Sequence, residues 1–283
     1  MKSMSLFAQH FSCTRRYRQD VEPVVHLLWT GGWDSTYRVC ELLVRTDVVV
    51  EPHYLVSKRR STETELRRMA DMRRAMEDIV PSAAMRLKPL IVTEQKDVHV
   101  HPERHARFQR LRQRRPLGVQ YEWLSEYAAT MDHPLELAVH AHDKAHDFLQ
   151  DDVRPVTLPY GAVKELVARP GDPDLELFRP FRFPVFDLSK VGMGERAARL
   201  GFDDVMRMTW FCHRPKDGQP CGVCEPCRDA MREGLGWRIP RNRRVLSWML
   251  TPVIALKRAR QRSVDLRSRD QRSLERVDAP AGD

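Results

Sequence analysis

Apolar runs rich in β-branched residues alternate along the chain with segments whose apolar residues recur at helical spacing. The first run, residues 24–29, stops at a pair of glycines and is followed by a helical pattern that begins at Ser35. The same patterns predict further strands at 48–56, 85–92, 134–140 and 182–188, and further helices at 62–79, 119–128 and 190–200. Strands that alternate with helices in this way usually form a parallel sheet. We therefore predict an α/β domain in which helices cover both faces of a parallel sheet.

Two stretches interrupt this alternation. Residues 97–117 are rich in His and Arg, and residues 151–180 contain five prolines. Long connections inside a domain are usually functional or disordered, so we predict a solvated loop for the first and a substrate-covering lid for the second. The arginines of 97–117 either bind phosphates of RNA or of a substrate, or form a solvated basic face. The pair His99 and His101 lacks the partner ligands of a metal site, so we assign it to the loop.

Length and charge narrow the class of protein. A chain of 283 residues can bury a large core, and a formal net charge of +9 favours contact with nucleic acids, nucleotides or anionic surfaces. The sequence contains no apolar run of membrane-spanning length and no signal-peptide pattern, so we expect a cytoplasmic protein. We divide the chain into a loosely ordered arm at 1–22, an α/β domain at 23–205, a metal-binding segment at 206–240 and a basic, partly disordered extension at 241–283.

The glycine pair between the first strand and the first helix predicts an anion site. Gly31 and Gly32 allow the backbone to curl closely around a ligand, and Ser35 and Thr36 offer hydroxyl groups. The first N–H groups of the following helix have no partner within the helix, so a phosphate is the expected ligand. The segment is not a Walker A loop, because no Lys follows the glycines, and it does not match G-x-G-x-x-G.

Four of the six cysteines lie in one short segment with the spacing C-x8-C-x2-C-x2-C, namely Cys212, Cys221, Cys224 and Cys227. Glycines and prolines between them let the chain turn tightly enough to direct four thiolates at one point. In a reducing compartment this clustering indicates a metal site rather than disulfides. A structural, tetrahedral Zn(II) site is the simplest interpretation, and an iron–sulfur cluster is the alternative.

The segment from Thr30 to Ser35, Thr-Gly-Gly-Trp-Asp-Ser, resembles the S-G-G-x-D-S PP-loop of the ATP pyrophosphatases. Together with the cysteine spacing and the run that precedes Cys212, it resembles 7-cyano-7-deazaguanine synthase between residues 24 and 235. The resemblance implies a Rossmann-like fold of the adenine nucleotide alpha hydrolase type, with zinc held by the four cysteines. It also implies that ATP is bound by a loop made of Trp29, Thr30, Gly31, Gly32, Trp33, Asp34, Ser35 and Thr36.

The activity that the resemblance implies is ATP-dependent formation of a C–N bond. ATP activates a carboxylate with release of pyrophosphate, and ammonia then displaces AMP, which gives an amide. In that family the acceptor is 7-carboxy-7-deazaguanine, and the final product, after loss of a further water, is the nitrile. We expect catalytic roles for Asp34, Ser35 and Lys190. Asp34 either contributes to holding Mg(II) or braces the loop, and Lys190 either binds phosphate oxygens or is an exposed lysine at a helix start.

Other interpretations stay open. The middle of the chain lacks the family's Tyr-Asn-Gln and Gly-Arg-Asn segments, so the acceptor is not fixed. One alternative is a tRNA-modifying PP-loop enzyme that binds RNA through its basic patches, such as residues 238–262. Another is a non-catalytic zinc scaffold in a defence or other protein complex, and a homodimer or a partner protein would suit either. Residues 140–146, rich in His, either face the nucleotide cleft or form an ordinary polar helix start, and we favour the second.

Overall fold

The computed structural model describes residues 23–57 and 59–251, so the predicted arm, with Cys13, and most of the predicted extension lie outside the described residues. Within these ranges the strands form one sheet of seven in the order β3-β2-β1-β4-β7-β6-β5. The strands are β1 Val24–Leu28, β2 Val49–Val56, β3 Ile91–Glu94, β4 Leu135–Glu136, β5 Val153–Leu158, β6 Gly161–Leu166 and β7 Phe181–Phe183.

Nine α-helices connect or flank these strands in the described part of the chain. They are α1 Trp33–Arg45, α2 Thr62–Ile79, α3 Ala83–Arg86, α4 Pro102–Arg114, α5 Gln120–Ala129, α6 His146–Leu149, α7 Lys190–Leu200, α8 Asp203–Met208 and α9 Glu225–Arg232. The predicted limits of α7 are confirmed by its caps: Ser189 Oγ accepts from the Gly192 N–H at 3.1 Å, and Gly201 ends the helix at a φ of 79°.

The sheet is mostly parallel, and its strand order reverses next to β1. Strand β1 pairs in parallel with β2 on one side and with β4 on the other. The chain moves outward from β1 through β2 to β3, and then crosses back to β4 and β7. In open sheets of this kind, ligands bind beyond the carboxyl ends of the strands at the reversal point. The topology therefore makes the segments that follow β1 and β4 the candidate ligand-binding region.

Two buried clusters, one on each face of the sheet, confirm the α/β class with flanking helices. Val25 and Leu27 of β1 pack with residues of α1, α2, α7 and α8. Leu28 points to the opposite cluster, which contains Phe108 of α4 and Tyr121 of α5. Side chains of a strand alternate between faces, so one short strand contributes to both cores.

The prediction of a solvated loop over residues 97–117 was wrong, since α4 occupies most of that stretch. His101 accepts a hydrogen bond from the Glu103 N–H at its start, and Phe108 and Leu111 are buried. These two apolar positions at i and i+3 are enough to dock the helix, although arginines surround them in the sequence. Arg110 and Arg114 pair with one carboxylate, that of Asp174, at 2.6 and 3.0 Å.

Residues 151–180 do not form an irregular lid either. They contain the antiparallel hairpin β5–β6, which extends the sheet beyond β7, and a 3-10 helix at Pro173–Phe178. Pro155 lies in β5, the outermost strand, where a residue without an N–H is tolerated. The prolines thus mark an edge strand and turns within regular structure.

Three predicted strands are shorter than expected. The segment 85–92 begins as α3, bridges β2 once at Leu87 and forms a strand only from Ile91, while residues 134–140 contribute only the two residues of β4. Of residues 182–188, only the first two belong to β7, and residues 184–187 form turns. Arg86 explains the helical turn: its guanidinium donates to the carbonyl groups of Leu43 and Thr46 at the end of α1, each at 2.7 Å. A buried arginine thereby satisfies the last carbonyls of a helix, which would otherwise lack partners.

Candidate functional site

The loop between β1 and α1 adopts a conformation that requires glycine. Gly31 has a φ of 68°, and a Cβ there would lie 3.0 Å from Met69 Cγ of α2. The Gly31 carbonyl accepts from the Trp210 N–H at 2.8 Å, so a segment close to the cysteines braces the loop. Positive φ and close packing on two sides together exclude larger residues at this position.

The N-terminus of α1 is open. Gly32 is its N-cap, and no side chain in the described ranges caps it. Ser35 Oγ instead accepts from the Thr30 N–H at 3.3 Å and lies 3.4 Å from Thr30 Oγ1, which ties the two sides of the loop together. The first N–H groups of α1 therefore remain available to an anion, which the helix dipole favours.

Several side chains that were predicted to bind ATP instead pack into the protein beneath the loop. Trp29 Nε1 donates to Thr36 Oγ1 at 2.9 Å, and both side chains are buried. Trp33 Nε1 donates to the Lys190 carbonyl at 3.0 Å, and the Trp33 ring packs against Gly194 of α7. At these positions only the backbone is offered to a ligand.

Asp34 and Lys190, both predicted as catalytic, lie together in front of the helix N-terminus. Lys190 Nζ is 3.7 Å from Asp34 Oδ2 and 2.7 Å from Glu233 Oε2. Burial opposes the charged form of Lys190, but the two carboxylates outweigh it, so the pKa of Lys190 is raised. Burial raises the pKa of Asp34, while Lys190 acts in the opposite direction. Asp34 Oδ1 is buried without a hydrogen-bond partner among the described residues, which leaves an acceptor facing the cleft.

The segment that follows β4 forms the opposite side of this cleft. His140 Nε2 is 4.0 Å from Asp34 Oδ2, and Tyr121 donates to Asp143 Oδ1 at 2.8 Å. The favoured interpretation of residues 140–146 as a plain helix start is incomplete: α6 does begin at His146, but the residues before it line a cavity of about 860 Å³. Its lining includes Asp34, Tyr121, His140, His142, Asp143, Lys144, Lys190, Glu225 and Glu233.

Arg238 adds a cation beside the loop. Its guanidinium lies over the rings of Trp33 and Phe211, 5.1 and 4.8 Å from their centroids. Burial lowers the pKa of Arg238 to about 10, with the Asp34 charge acting in the opposite direction. The sequence did not single out Arg238 or Glu233 individually, because Arg238 reaches the glycine loop, and Glu233 the cleft, only through folding of the C-terminal segment. Trp33 and Phe211 could have indicated a nearby cation such as Arg238, because guanidinium groups often stack on aromatic rings.

The four cysteines meet in one cluster, as predicted, and their Sγ atoms all lie within 4.8 Å of one another. Cys224 Sγ is 3.8 Å from Cys212 Sγ, and Cys221 Sγ is 3.9 Å from Cys227 Sγ. With Zn–S bonds of about 2.3 Å, a tetrahedral site has sulfur atoms about 3.8 Å apart. Backbone N–H groups of Cys221 and Cys224 also donate to sulfur atoms of the cluster. The donor set and its spacing fit a metal ion such as zinc.

The cluster also positions one wall of the cleft. Cys224 is the N-cap of α9 and Cys227 lies within that helix, whose residues Glu225 and Asp229 line the cavity. A metal at the cysteines would therefore fix the orientation of α9 relative to Lys190.

Neither a comparison with protein-family models nor one with curated proteins finds a match for this chain. Within residues 23–57 and 59–251, no helix is both long enough and apolar enough to cross a membrane.

Proposed function

We propose that this protein is an ATP-dependent ligase that adenylates a carboxylate, releases pyrophosphate and forms a C–N bond with ammonia. One observation carries the proposal: the uncapped N-terminus of α1, Asp34 and Lys190 share a cleft at the point where the strand order reverses between β1 and β4. A cavity of about 860 Å³ is within the usual size of small-molecule sites.

Residues of the cleft can bind the phosphates and the metal ion that adenylation by ATP requires. The α1 N–H groups and Lys190 would hold phosphate oxygens and offset the negative charge that builds on them. The unpartnered Asp34 Oδ1 would contribute to binding Mg(II), directly or through water. When bound, ATP would supply the adenylyl group that activates the acceptor carboxylate, and Mg(II) would offset charge on the phosphates.

The wall opposite the loop would bind the acceptor. Tyr121 of α5, together with His140 and Asp143 of the segment after β4, places a hydroxyl, an imidazole and a carboxylate around the cavity. Such groups recognise a polar, planar molecule by hydrogen bonds. The resemblance to 7-cyano-7-deazaguanine synthase makes 7-carboxy-7-deazaguanine the first acceptor to examine.

The basic stretch around α4 supports an RNA-binding role less well. Arg110 and Arg114 share the Asp174 carboxylate, and Arg107 pairs with Glu103 at 2.6 Å, so much of this charge is matched within the protein. The experiment below distinguishes RNA modification and a scaffold function from the proposed activity.

The experiment measures pyrophosphate release from ATP by zinc-loaded protein with 7-carboxy-7-deazaguanine and ammonium, with mass spectrometry of the product. Asp34→Asn is compared with Asp78→Asn, an exposed carboxylate on α2. We expect turnover in the wild type and in the Asp78 variant, and its loss in Asp34→Asn.

Release of pyrophosphate only when tRNA is added would favour an RNA acceptor. Absence of both ATP binding and turnover would contradict the enzymatic proposal and favour a scaffold.

A further inference from the structure

A second cluster of metal-binding side chains lies on the sheet, away from the cysteines. His26 is on β1 and is the direct register partner of Glu51 on β2, and His53 follows two residues later on β2. Residues two apart on a strand share a face, so all three side chains project from the same side of the sheet. Polar residues at alternate positions of otherwise apolar strands are not explained by packing of the core.

The three side chains converge at atomic distances. His26 Nδ1 is 3.0 Å from Glu51 Oε1 and 3.4 Å from His53 Nε2, and His53 Nε2 is 3.7 Å from Glu51 Oε1. Each separation is shorter than twice a metal–ligand bond of about 2.0–2.2 Å, so one ion can contact all three atoms.

A hydrogen bond orients the most buried ligand. The contact of His53 Nδ1 with the Tyr127 hydroxyl, at 2.8 Å, lets Nδ1 donate its proton and leaves the Nε2 lone pair for an ion. Histidine ligands in metal sites are commonly held in this way by a partner on the other ring nitrogen. His53 is 1 % exposed, so its orientation is set by its neighbours.

A further imidazole completes the surroundings. His133 stacks on His26 with ring centroids 3.4 Å apart, and its Nε2 is buried with no hydrogen-bond partner in the described part of the chain. The side chains of His26 and Glu51 are 15% and 31% exposed, so the cluster can be reached from solvent.

We infer that His26, Glu51 and His53 form a second metal site, which binds a divalent transition-metal ion with two imidazoles, one carboxylate and water. Nitrogen and carboxylate ligands with an open position suit Zn(II) and its neighbours better than Mg(II) or Ca(II). The His53 carbonyl accepts from the Trp29 N–H at 2.9 Å, so the ion would hold β1 and β2 together beside the start of the glycine loop. The inference does not depend on the proposed ligase activity.

The test is a titration of the metal-free full-length chain with Co(II), followed by absorption and by metal analysis after gel filtration. Cobalt at the cysteines gives intense sulfur-to-metal charge-transfer absorption, whereas a site of nitrogen and oxygen ligands does not. We expect the wild type to bind two ions per chain, one of them without charge-transfer absorption. The double variant H26Q/E51Q should bind one, with the charge-transfer band intact, which also reports that the variant is folded. The matched control H99Q/E63Q changes an exposed histidine and an exposed glutamate and should bind two.

Binding of only one ion by the wild type, or retention of two by H26Q/E51Q, would overturn the inference. In either case the three side chains would form only a hydrogen-bonded cluster that joins β1 and β2.

Discussion

The cysteine cluster and the cleft around Asp34 and Lys190 are built in opposite ways. The cluster takes all four ligands from one segment, whereas the cleft takes Asp34, His140, Lys190 and Glu233 from four segments far apart in the sequence. When all ligands come from one segment, the spacing of the residues in the sequence indicates what the site binds. A dispersed site depends on the whole fold, so its chemistry emerges only when the strands are ordered.

Loss of a metal from the cysteines should have the largest effect on stability. We expect Cys227→Ser to lower the free energy of unfolding by more than about 4 kcal/mol, because loss of a structural metal is among the most destabilising changes. Denaturant unfolding with and without a chelator measures it. Cys40→Ala, which alters a buried thiol in α1, should keep its sensitivity to the chelator. Equal chelator responses in Cys227→Ser and the wild type would show that the cysteines do not hold the ion.

Lys190→Ala tests the dispersed site. We expect the rate of pyrophosphate release to fall about 10³-fold, or about 4 kcal/mol in the barrier, because a charge directed at the phosphates is lost from a partly enclosed cleft. Steady-state kinetics measures the change, and Lys88→Ala, at an exposed position, is the matched control. A fall confined to stability, with normal turnover of the folded fraction, would assign Lys190 a structural role only.

His140 provides a test of the cleft by pH. Burial, aided by the Lys190 charge, lowers the pKa of His140 to about 4 from its usual 6.5. The unfolded chain therefore binds a proton between these values that the folded chain does not, so stability falls as pH drops from 6.5 towards 4. The loss reaches about 3 kcal/mol at most. Denaturation across this pH range should give a shallower slope for His140→Gln, and parallel curves would contradict the assignment.

Glu233→Gln should have the smallest effect. It removes one of the three carboxylates that raise the pKa of Lys190, but Asp34 remains 3.7 Å from the ammonium. We expect the free energy of unfolding to fall by about 1 kcal/mol, because the amide oxygen of the glutamine can still accept from the ammonium and Asp34 still balances its charge. The apparent pKa of Lys190, followed by NMR, should move down. An unchanged pKa would mean that Asp34 and Asp143 raise it without Glu233.

The sequence predicted those parts of the molecule whose signal is local. The glycine pair, the cysteine spacing, the limits of α2 and the caps of α7 each need only a few neighbouring residues. The division of the chain into domains and the identity of the acceptor stay predictions.

The errors fall where tertiary contacts decide the structure. Helix α4 depends on two buried residues among arginines, and its charges are matched by Asp174, far along the chain. The hairpin β5–β6 depends on the edge that β7 offers. The cluster of His26, Glu51 and His53 could not be predicted before the register of β1 and β2 was known.

The contacts that brace the glycine loop impose an order on biosynthesis. Trp33 donates to the carbonyl of a residue 157 positions later, and Gly31 accepts from Trp210, so the loop emerges from the ribosome well before either partner exists. Such distant contacts form late in folding. The nascent chain would therefore present an incomplete loop, and a ligand of the cleft could bind only after the cysteine-bearing segment has been synthesised and has docked.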